Sequence, residues 1–133
     1  MRVVIVEDDL AMQKELTRTV QALSGEVVMA ADAAPQAIQW LQSHPDDWDL
    51  AVVDMFLKQG HGFDVLRRCA ARRPHQRAVM LSNYGRREVA DYVRHAGADR
   101  FFDKSHDLDA FVSYCRGVSA DLAARRKARA DGG

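Results

Sequence analysis

Short apolar runs alternate with longer amphipathic segments along the whole chain of 133 residues. The apolar runs are rich in β-branched residues and are uninterrupted by polar ones, which is typical of strands buried on both faces of a parallel sheet. They predict five strands, over residues 2–6, 26–31, 49–53, 77–81 and 99–102. Apolar stripes of helical spacing predict five helices, over residues 9–23, 34–41, 63–72, 85–96 and 107–128.

The strict alternation of strand and helix predicts an α/β fold, a doubly wound parallel sheet with helices on both faces. No linker or low-complexity block interrupts this pattern, so we predict one domain over residues 1–124. The basic run Arg125 to Arg129 follows it. We interpret residues 125–133 as a frayed tail whose cations complement the carboxyl end of the last helix.

The composition of the chain argues against several classes of function. The formal net charge is zero, so no overall field attracts nucleic acid or an acidic membrane surface. Cys69 and Cys115 lie far apart in amphipathic segments and are interpreted as buried core thiols, and no pair among the five histidines has i, i+4 spacing for a metal. No segment has the length of a signal peptide or a membrane span, so we expect a soluble, cytoplasmic protein.

The residues directly after the strands carry the candidate chemistry, because an open parallel sheet binds ligands outside the carboxyl ends of its strands. Glu7 and Asp8 follow the first strand, and Asp54 follows the third. Ser82 follows the fourth strand and Lys104 follows the fifth. Clustered carboxylates repel one another unless a cation offsets them, and Mg²⁺ suits a few oxygen ligands. A lysine and a hydroxyl add phosphate partners, so the set predicts phosphoryl transfer.

Each of these residues also has a simpler interpretation when it is taken alone. An acid after a strand often caps the following helix, which applies to Asp8 or Asp9. Asp54 alone fits a turn residue, and a single serine or lysine has little weight. The prediction therefore rests on the whole set occurring at the corresponding ends of four strands.

Four ordered motifs resemble the receiver domain of two-component response regulators. They are VVIVEDD at 3–9, AVVDMFL at 51–57, VMLSNY at 79–84 and HAGADRFFDKS at 95–105. The resemblance extends from about Arg2 to Leu122. It implies a flavodoxin-like (βα)5 fold with strand order 2-1-3-4-5, and a signalling switch that catalyses only its own phosphotransfer and dephosphorylation.

The resemblance also implies the roles of the acids and the lysine. Asp54 is the implied phosphoacceptor, with a histidine kinase or a histidine phosphotransfer protein as the donor. Mg²⁺ is the implied cofactor, held directly by Asp8, Asp54 and the backbone carbonyl of Phe56, with Glu7 acting mostly through water. Lys104 is the implied partner of the phosphoryl group. No direct contact with nucleic acid or a membrane is implied.

Further positions are assigned by the resemblance to switching and to lifetime. Ser82 and Phe101 are the implied switch residues, which reshape the face made by the fourth helix, fifth strand and fifth helix. A downstream protein or a second copy would recognise that face. Phe56 and Tyr84 flank the implied path of the hydrolytic water, and their bulk predicts slow loss of the phosphoryl group.

Two positions depart from the family pattern. Lys58 stands where the family often has a proline four residues after the phosphoacceptor. Ser105 stands where a proline with a cis bond usually follows the lysine. Since a cis bond before another residue costs about 3 kcal/mol, we expect a trans bond there.

Other functions fit the sequence less well. A pseudo-receiver, the same fold used only as a binding module, is the main alternative, although the site residues are all present. A Mg²⁺-dependent phosphatase commonly has a second acid where this chain has Phe56. A flavin or nucleotide protein would need a glycine-rich loop after the first strand. The sequence leaves open whether the chain acts alone or is part of a longer protein.

Overall fold

Strands and helices alternate throughout the computed structural model, which describes residues 1–83 and 87–132, without the side chains of residues 87–90. The strands are β1 Arg2–Val6, β2 Glu26–Ala31, β3 Leu50–Asp54, β4 Arg77–Ser82 and β5 Arg100–Asp103. The helices are α1 Leu10–Ala22, α2 Ala34–Ser43, α3 Gly62–Arg68, α4 Arg87–His95 and α5 Leu108–Gly132.

All five strands form one parallel sheet in the order β2-β1-β3-β4-β5. This is the flavodoxin-like, doubly wound arrangement that the sequence predicted. The chain moves outward from the centre in both directions, so the strand order reverses between β1 and β3. Ligands of such sheets bind at the carboxyl ends of the strands beside this reversal.

Alternate residues of each strand enter two separate apolar layers. Val4, Val53 and Met80 face the layer that also contains buried residues of α2, α3 and α4. Ile5 and Val52 face the opposite layer, with buried residues of α1 and α5. Both faces of the central strands are covered, which explains why their sequences read as continuous apolar runs.

Asp9 caps helix α1. Its Oδ1 accepts hydrogen bonds from the backbone N–H groups of Ala11 at 2.9 Å and Met12 at 3.3 Å. The capping role, which the sequence left open between two acids, therefore falls on Asp9. Asp8 stays available at the sheet edge.

Helix α3 ends at Arg68, four residues earlier than the predicted 72. The Arg72 guanidinium donates to the carbonyl of Cys69 at 3.0 Å and to the carbonyl of Gly97 at 2.8 Å. It also donates to Asp99 at 3.0 Å. These contacts hold Arg72 near β5, so the chain leaves the helix before this residue. A local sequence pattern does not reveal them.

Helix α5 continues to Gly132, four residues beyond its predicted end at 128, and the fraying of the basic tail at 125–133 stays a prediction. Alanine, arginine and lysine dominate this segment, and all three have high helix propensity. Among the helices of 1–83 and 87–132, none is both long enough and apolar enough to cross a membrane.

Both thiols lie in the core, as predicted. Cys69 and Cys115 are buried and free. Burial raises the pKa of each thiol to about 12, so neither is a nucleophile at neutral pH.

A partly buried ion pair joins β1 to the residue before β3 at the amino-terminal edge of the sheet. Asp49 accepts hydrogen bonds from the backbone N–H of Arg2 at 2.7 Å and from its guanidinium at 3.4 Å. Burial alone would raise the pKa of Asp49, but the hydrogen bonds and charge of Arg2 outweigh it and hold that pKa below its usual value.

Asp49→Asn should lower the free energy of unfolding by about 1–2 kcal/mol near neutral pH, measured by urea titration. Because the folded-state pKa is lowered, this stabilisation is complete above the unfolded-state pKa of about 3.9 and disappears as the pH falls through the folded-state value. The difference between the proteins should therefore shrink at acid pH. Asp47→Asn is the control, since Asp47 is exposed and 3.9 Å from Arg2, and equal losses in both variants would contradict the assignment.

Candidate functional site

A buried polar cluster lies at the carboxyl ends of the central strands. Glu7 directly follows β1, Asp54 ends β3, Ser82 ends β4 and Lys104 directly follows β5. Glu7 and Ser82 are 1% exposed, Asp54 is 8% exposed and Lys104 is 9% exposed. The structure therefore brings together four of the polar residues that the sequence singled out.

Lys104 connects the two buried acids of this cluster. Its Nζ forms an ion pair with Glu7 Oε1 and donates a hydrogen bond to Asp54 Oδ2 at 3.1 Å. Its backbone N–H donates to the carbonyl of Ser82 at 2.9 Å, which fixes where the side chain begins. Burial alone would lower the pKa of Lys104, but Glu7 and Asp54 outweigh it and raise that pKa above its usual value. Lys104 is therefore a fixed positive charge beside Asp54.

One lysine faces an excess of negative charge. Burial raises the pKa of Glu7, and the nearby Asp54 adds to this effect while Lys104 opposes it. Partial burial and the neighbouring Glu7 also raise the pKa of the more exposed Asp8. Both raised pKa values indicate that binding a proton or a cation would stabilise the cluster.

The three carboxylates fit a magnesium site. Oxygen atoms of Glu7, Asp8 and Asp54 all lie within 4.8 Å of one another. The donor set consists only of carboxylate oxygens, one of them at the exposed rim, which suits an ion that keeps several waters. Hence the donor chemistry and the unbalanced charge both agree with the predicted cofactor.

Glycines hold the β3–α3 loop tightly against the end of β3. A Cβ atom at Gly62 would collide with the carbonyl oxygen of Asp54, so only glycine allows α3 to begin there. Gly60 has a φ of 82°, and a Cβ atom would lie 2.6 Å from the Cβ of Ala34. The loop therefore approaches both Asp54 and the start of α2 closely.

Lys58 forms contacts that the proline of the family pattern could not form. Its backbone N–H donates to the carbonyl of Asp32 at 3.3 Å, and its Nζ lies 3.4 Å from Asp32 Oδ2. Proline has no N–H to donate. The sequence identified Lys58 as unusual but gave no sign of its partner, which lies 26 residues away.

Ser105 also has a backbone N–H that donates a hydrogen bond, which a proline at this position could not do. The bond before it is trans, as predicted, since the described residues contain no cis peptide. Its backbone N–H donates to Asp103 Oδ1 at 2.7 Å, and the N–H of Asp103 donates to Asp107 Oδ2 at 2.9 Å. An aspartate bonded two residues onward forms a compact turn, and this turn carries Lys104 without a proline.

Phe56 lies two residues beyond Asp54 and is 49% exposed. The ring contacts His61 edge to face, with 5.2 Å between centroids. His61 also caps α3, because its Nδ1 accepts from the backbone N–H of Phe63 at 3.2 Å. This cap was missed, since histidine is not a usual capping residue. Tyr84, the other predicted rate modulator, lies outside the described residues.

Ser82 and Phe101 occupy neighbouring strands beside the site. Asp54 pairs with Leu81 across the sheet, so Ser82 lies one position further towards the carboxyl edge. Phe101 is half-buried and packs against the layer that contains Val93 of α4. Their roles in switching stay predictions.

The chain is similar in sequence to a known domain family and to known regulatory proteins. The sequence model of the response regulator receiver domain matches residues 3–116. The acid tolerance regulatory protein ActR of Rhizobium meliloti is 31% identical over 109 residues, which are 82% of this chain and 55% of ActR. The photosynthetic apparatus regulatory protein RegA of Cereibacter sphaeroides is 30% identical over 105 residues, 79% of this chain and 55% of RegA. The chain thus spans about half the length of these curated relatives.

Solved structures with the same fold are more distant in sequence. A chain of the CheX–CheY–BeF3–Mg²⁺ complex from Borrelia burgdorferi has a TM-score of 0.75 and 20% identity, and the match covers 86% of this chain and 88% of that one. The receiver domain of Francisella response regulator 1452 has a TM-score of 0.76 and 16% identity, with 91% and 98% covered. At these identities the similarity establishes the fold.

Proposed function

Because the chain belongs to the response regulator receiver domain family, we propose that it is a signalling switch phosphorylated on Asp54. The observation that carries the proposal is the buried Lys104 ammonium, which is bonded to Asp54 and paired with Glu7. A nucleophilic carboxylate beside a fixed cation is what phosphoryl transfer requires, since positioning and charge neutralisation supply most of its catalysis. Family membership makes a histidine kinase the expected donor.

In the proposed reaction an Asp54 carboxylate oxygen forms a bond to phosphorus while the bond from phosphorus to the donor's imidazole nitrogen breaks. The electron pair of that bond stays on the nitrogen, which then takes a proton from solvent. Lys104 offsets the negative charge of the phosphoryl oxygens. Mg²⁺, held by Glu7, Asp8, Asp54 and the carbonyl of Phe56, would neutralise the remaining charge.

The fold keeps these groups in place before the donor arrives. Asp54 ends a central strand that pairs with β1 and β4, and Asp54 itself pairs with Leu81 of β4, so its backbone has little freedom. Lys104 is held through its backbone bond to Ser82. Charges that are already oriented in a buried site interact strongly and need little reorganisation during the reaction.

The proposed output is a change in the face made by α4, β5 and α5. Ser82 would turn to donate to a phosphoryl oxygen, and Phe101 would move inward after it. Support comes from their positions: Ser82 ends β4, the strand before α4 in the chain, and Phe101 is half-buried on the α4 side of β5. Such a switch is a two-state equilibrium that a local charge biases. A downstream protein or a second copy would bind the shifted face.

Asp54→Asn should abolish phosphoryl uptake from acetyl phosphate in the presence of Mg²⁺, whereas the wild-type chain should take up close to one equivalent. Uptake is measured by intact-protein mass spectrometry at successive times. Asp103→Asn is the control, because Asp103 has no predicted part in the chemistry and the asparagine Oδ1 can still accept the Ser105 N–H that forms the turn carrying Lys104. A full equivalent on the Asp54→Asn protein would refute the proposal.

Phe56→Asn should accelerate loss of the phosphoryl group by roughly tenfold, because a small amide admits water and helps to orient it, without the larger effect of a general base. Phe56→Leu retains apolar bulk and should leave the lifetime nearly unchanged. The lifetime is followed after rapid removal of the phosphodonor. Equal lifetimes in the wild type and the asparagine variant would contradict the predicted role of Phe56.

A further inference from the structure

A cationic cavity lies at the amino-terminal edge of the sheet, at the opposite end of the strands from Asp54. Its volume is about 270 Å³, and Arg2, Arg125, Arg126 and Arg129 line it together with His75. Arg2 begins β1 and the other three arginines extend from α5. A five-residue strand separates the two ends of the sheet by about 15 Å. The cavity is therefore distinct from the proposed phosphorylation site.

The carboxylates around this cavity do not balance its cations. Asp49 is the acid in its lining, and that carboxylate is occupied by Arg2, with His75 Nε2 at 3.6 Å. A second cavity of about 340 Å³ shares Arg125 and His75 and adds Arg77 and Asp121. The local charge stays positive although the whole chain has a formal net charge of zero.

Three of the arginines have no partner within the described part of the chain. Among residues 1–83 and 87–132, no ion pair or hydrogen bond is made by the side chains of Arg125, Arg126 or Arg129. By contrast, Arg2 and Arg72 each contact a carboxylate. The unpaired guanidinium groups are therefore free to bind an external anion.

Helix geometry explains why these arginines converge. Positions 122, 125, 126 and 129 follow the i, i+3, i+4, i+7 spacing of a single helix face. Leu122 is buried against the body of the protein, so the arginines that follow on this face continue along the same side. Lys127 lies off this face and does not line either cavity.

We propose that this cavity binds a small phosphate-bearing anion, either a free polyphosphate or the phosphate groups of a nucleotide. Guanidinium groups bind phosphate oxygens in a bidentate manner, and several directed into one cavity can enclose a single phosphate group. The concave shape favours a small ligand over a nucleic-acid backbone, which would follow an exposed ridge of cations. The site requires neither Mg²⁺ nor Asp54.

Isothermal titration of the whole chain with pyrophosphate, in EDTA and low salt, tests this proposal. Arg125→Gln and Arg129→Gln should each weaken binding by about tenfold or more, the equivalent of one lost charge-assisted hydrogen bond. Lys127→Gln, which removes the same charge from the same helix, should bind as the wild type does. A parallel titration with ADP separates the two ligand sources, because tighter binding of ADP assigns a nucleotide and equal binding assigns a free polyphosphate.

Other outcomes would overturn the proposal. No saturable heat with either ligand would do so, as would equal weakening in Lys127→Gln and Arg129→Gln, which indicates a diffuse charge effect. Binding of a single-stranded oligonucleotide without binding of pyrophosphate or ADP would assign the arginines to nucleic acid instead. Far-UV circular dichroism of each variant confirms that α5 is intact. Because EDTA removes divalent ions, failure here leaves the proposed phosphorylation of Asp54 unaffected.

Discussion

Replacing Lys104 by glutamine should slow phosphoryl uptake from acetyl phosphate by about a hundredfold to a thousandfold, the usual cost of removing an oriented charge from an active site. The wild-type ammonium is buried and bonded to Asp54 Oδ2 at 3.1 Å. Glutamine can still donate a hydrogen bond but cannot neutralise the charge of the transferred group. The measured quantity is the initial rate of uptake at a fixed concentration of phosphodonor.

Lys58→Gln is the matched control for this experiment. Lys58 is also near the site, but its side chain is 72% exposed and pairs with Asp32. An exposed pair of this kind contributes little, so uptake should change by less than about threefold. Circular dichroism establishes that both variants are folded. If Lys104→Gln and Lys58→Gln had similar rates, Lys104 would not be the cation of the reaction.

The second large effect concerns the acids and the cofactor. Saturating Mg²⁺, at a hundredfold excess over its dissociation constant, should raise the free energy of unfolding by about 2.7 kcal/mol. The physical reason is that the folded chain gathers carboxylate oxygens of Glu7, Asp8 and Asp54 within 4.8 Å, whereas the unfolded chain does not. Asp8→Asn should remove most of this gain, as measured by urea unfolding with and without Mg²⁺.

Asp9→Asn provides a sharp control, because it changes the adjacent acid. Asp9 caps α1, and asparagine caps helices about as well as aspartate does, so this variant should keep the full response to Mg²⁺. A response lost equally in both variants would indicate non-specific screening of surface acids. A wild-type chain with no response would favour the pseudo-receiver alternative.

The sheet could be predicted closely because buried parallel strands impose a strong local signal. The observed strands lie within one residue of their predicted bounds, as in β3, predicted over 49–53 and observed as Leu50–Asp54. Helix ends were less predictable. Contacts of Arg72 end α3 early, and they depend on Gly97 and Asp99, which only the tertiary fold brings near. Helix α5, by contrast, continues beyond its predicted end, because the residues there have high helix propensity.

The candidate site was predictable for a topological reason. Residues after parallel strands meet at one edge of the sheet, so Glu7, Asp54 and Lys104 could be grouped before any distance was known. The connections within the loops could not be predicted, because they join distant segments. Asp32 and Lys58 have no shared sequence pattern, yet their contact connects the β3–α3 loop to the end of β2.

The two missing prolines now have a physical explanation. At both positions the backbone N–H that proline lacks donates a hydrogen bond, from Lys58 to Asp32 and from Ser105 to Asp103. Each bond restrains a loop next to Asp54 or Lys104. The departures from the family pattern therefore replace one kind of restraint by another, and they do not disturb the cluster of acids and lysine.

Direct mapping of the modified residue tests whether Asp54 carries the phosphoryl group. The chain is incubated with acetyl phosphate and Mg²⁺, the acyl phosphate is reduced with borohydride, and the peptides are sequenced by mass spectrometry. We expect a single reduced residue, at Asp54, that is absent when EDTA replaces Mg²⁺. Modification at any other residue with Asp54 unchanged would contradict it.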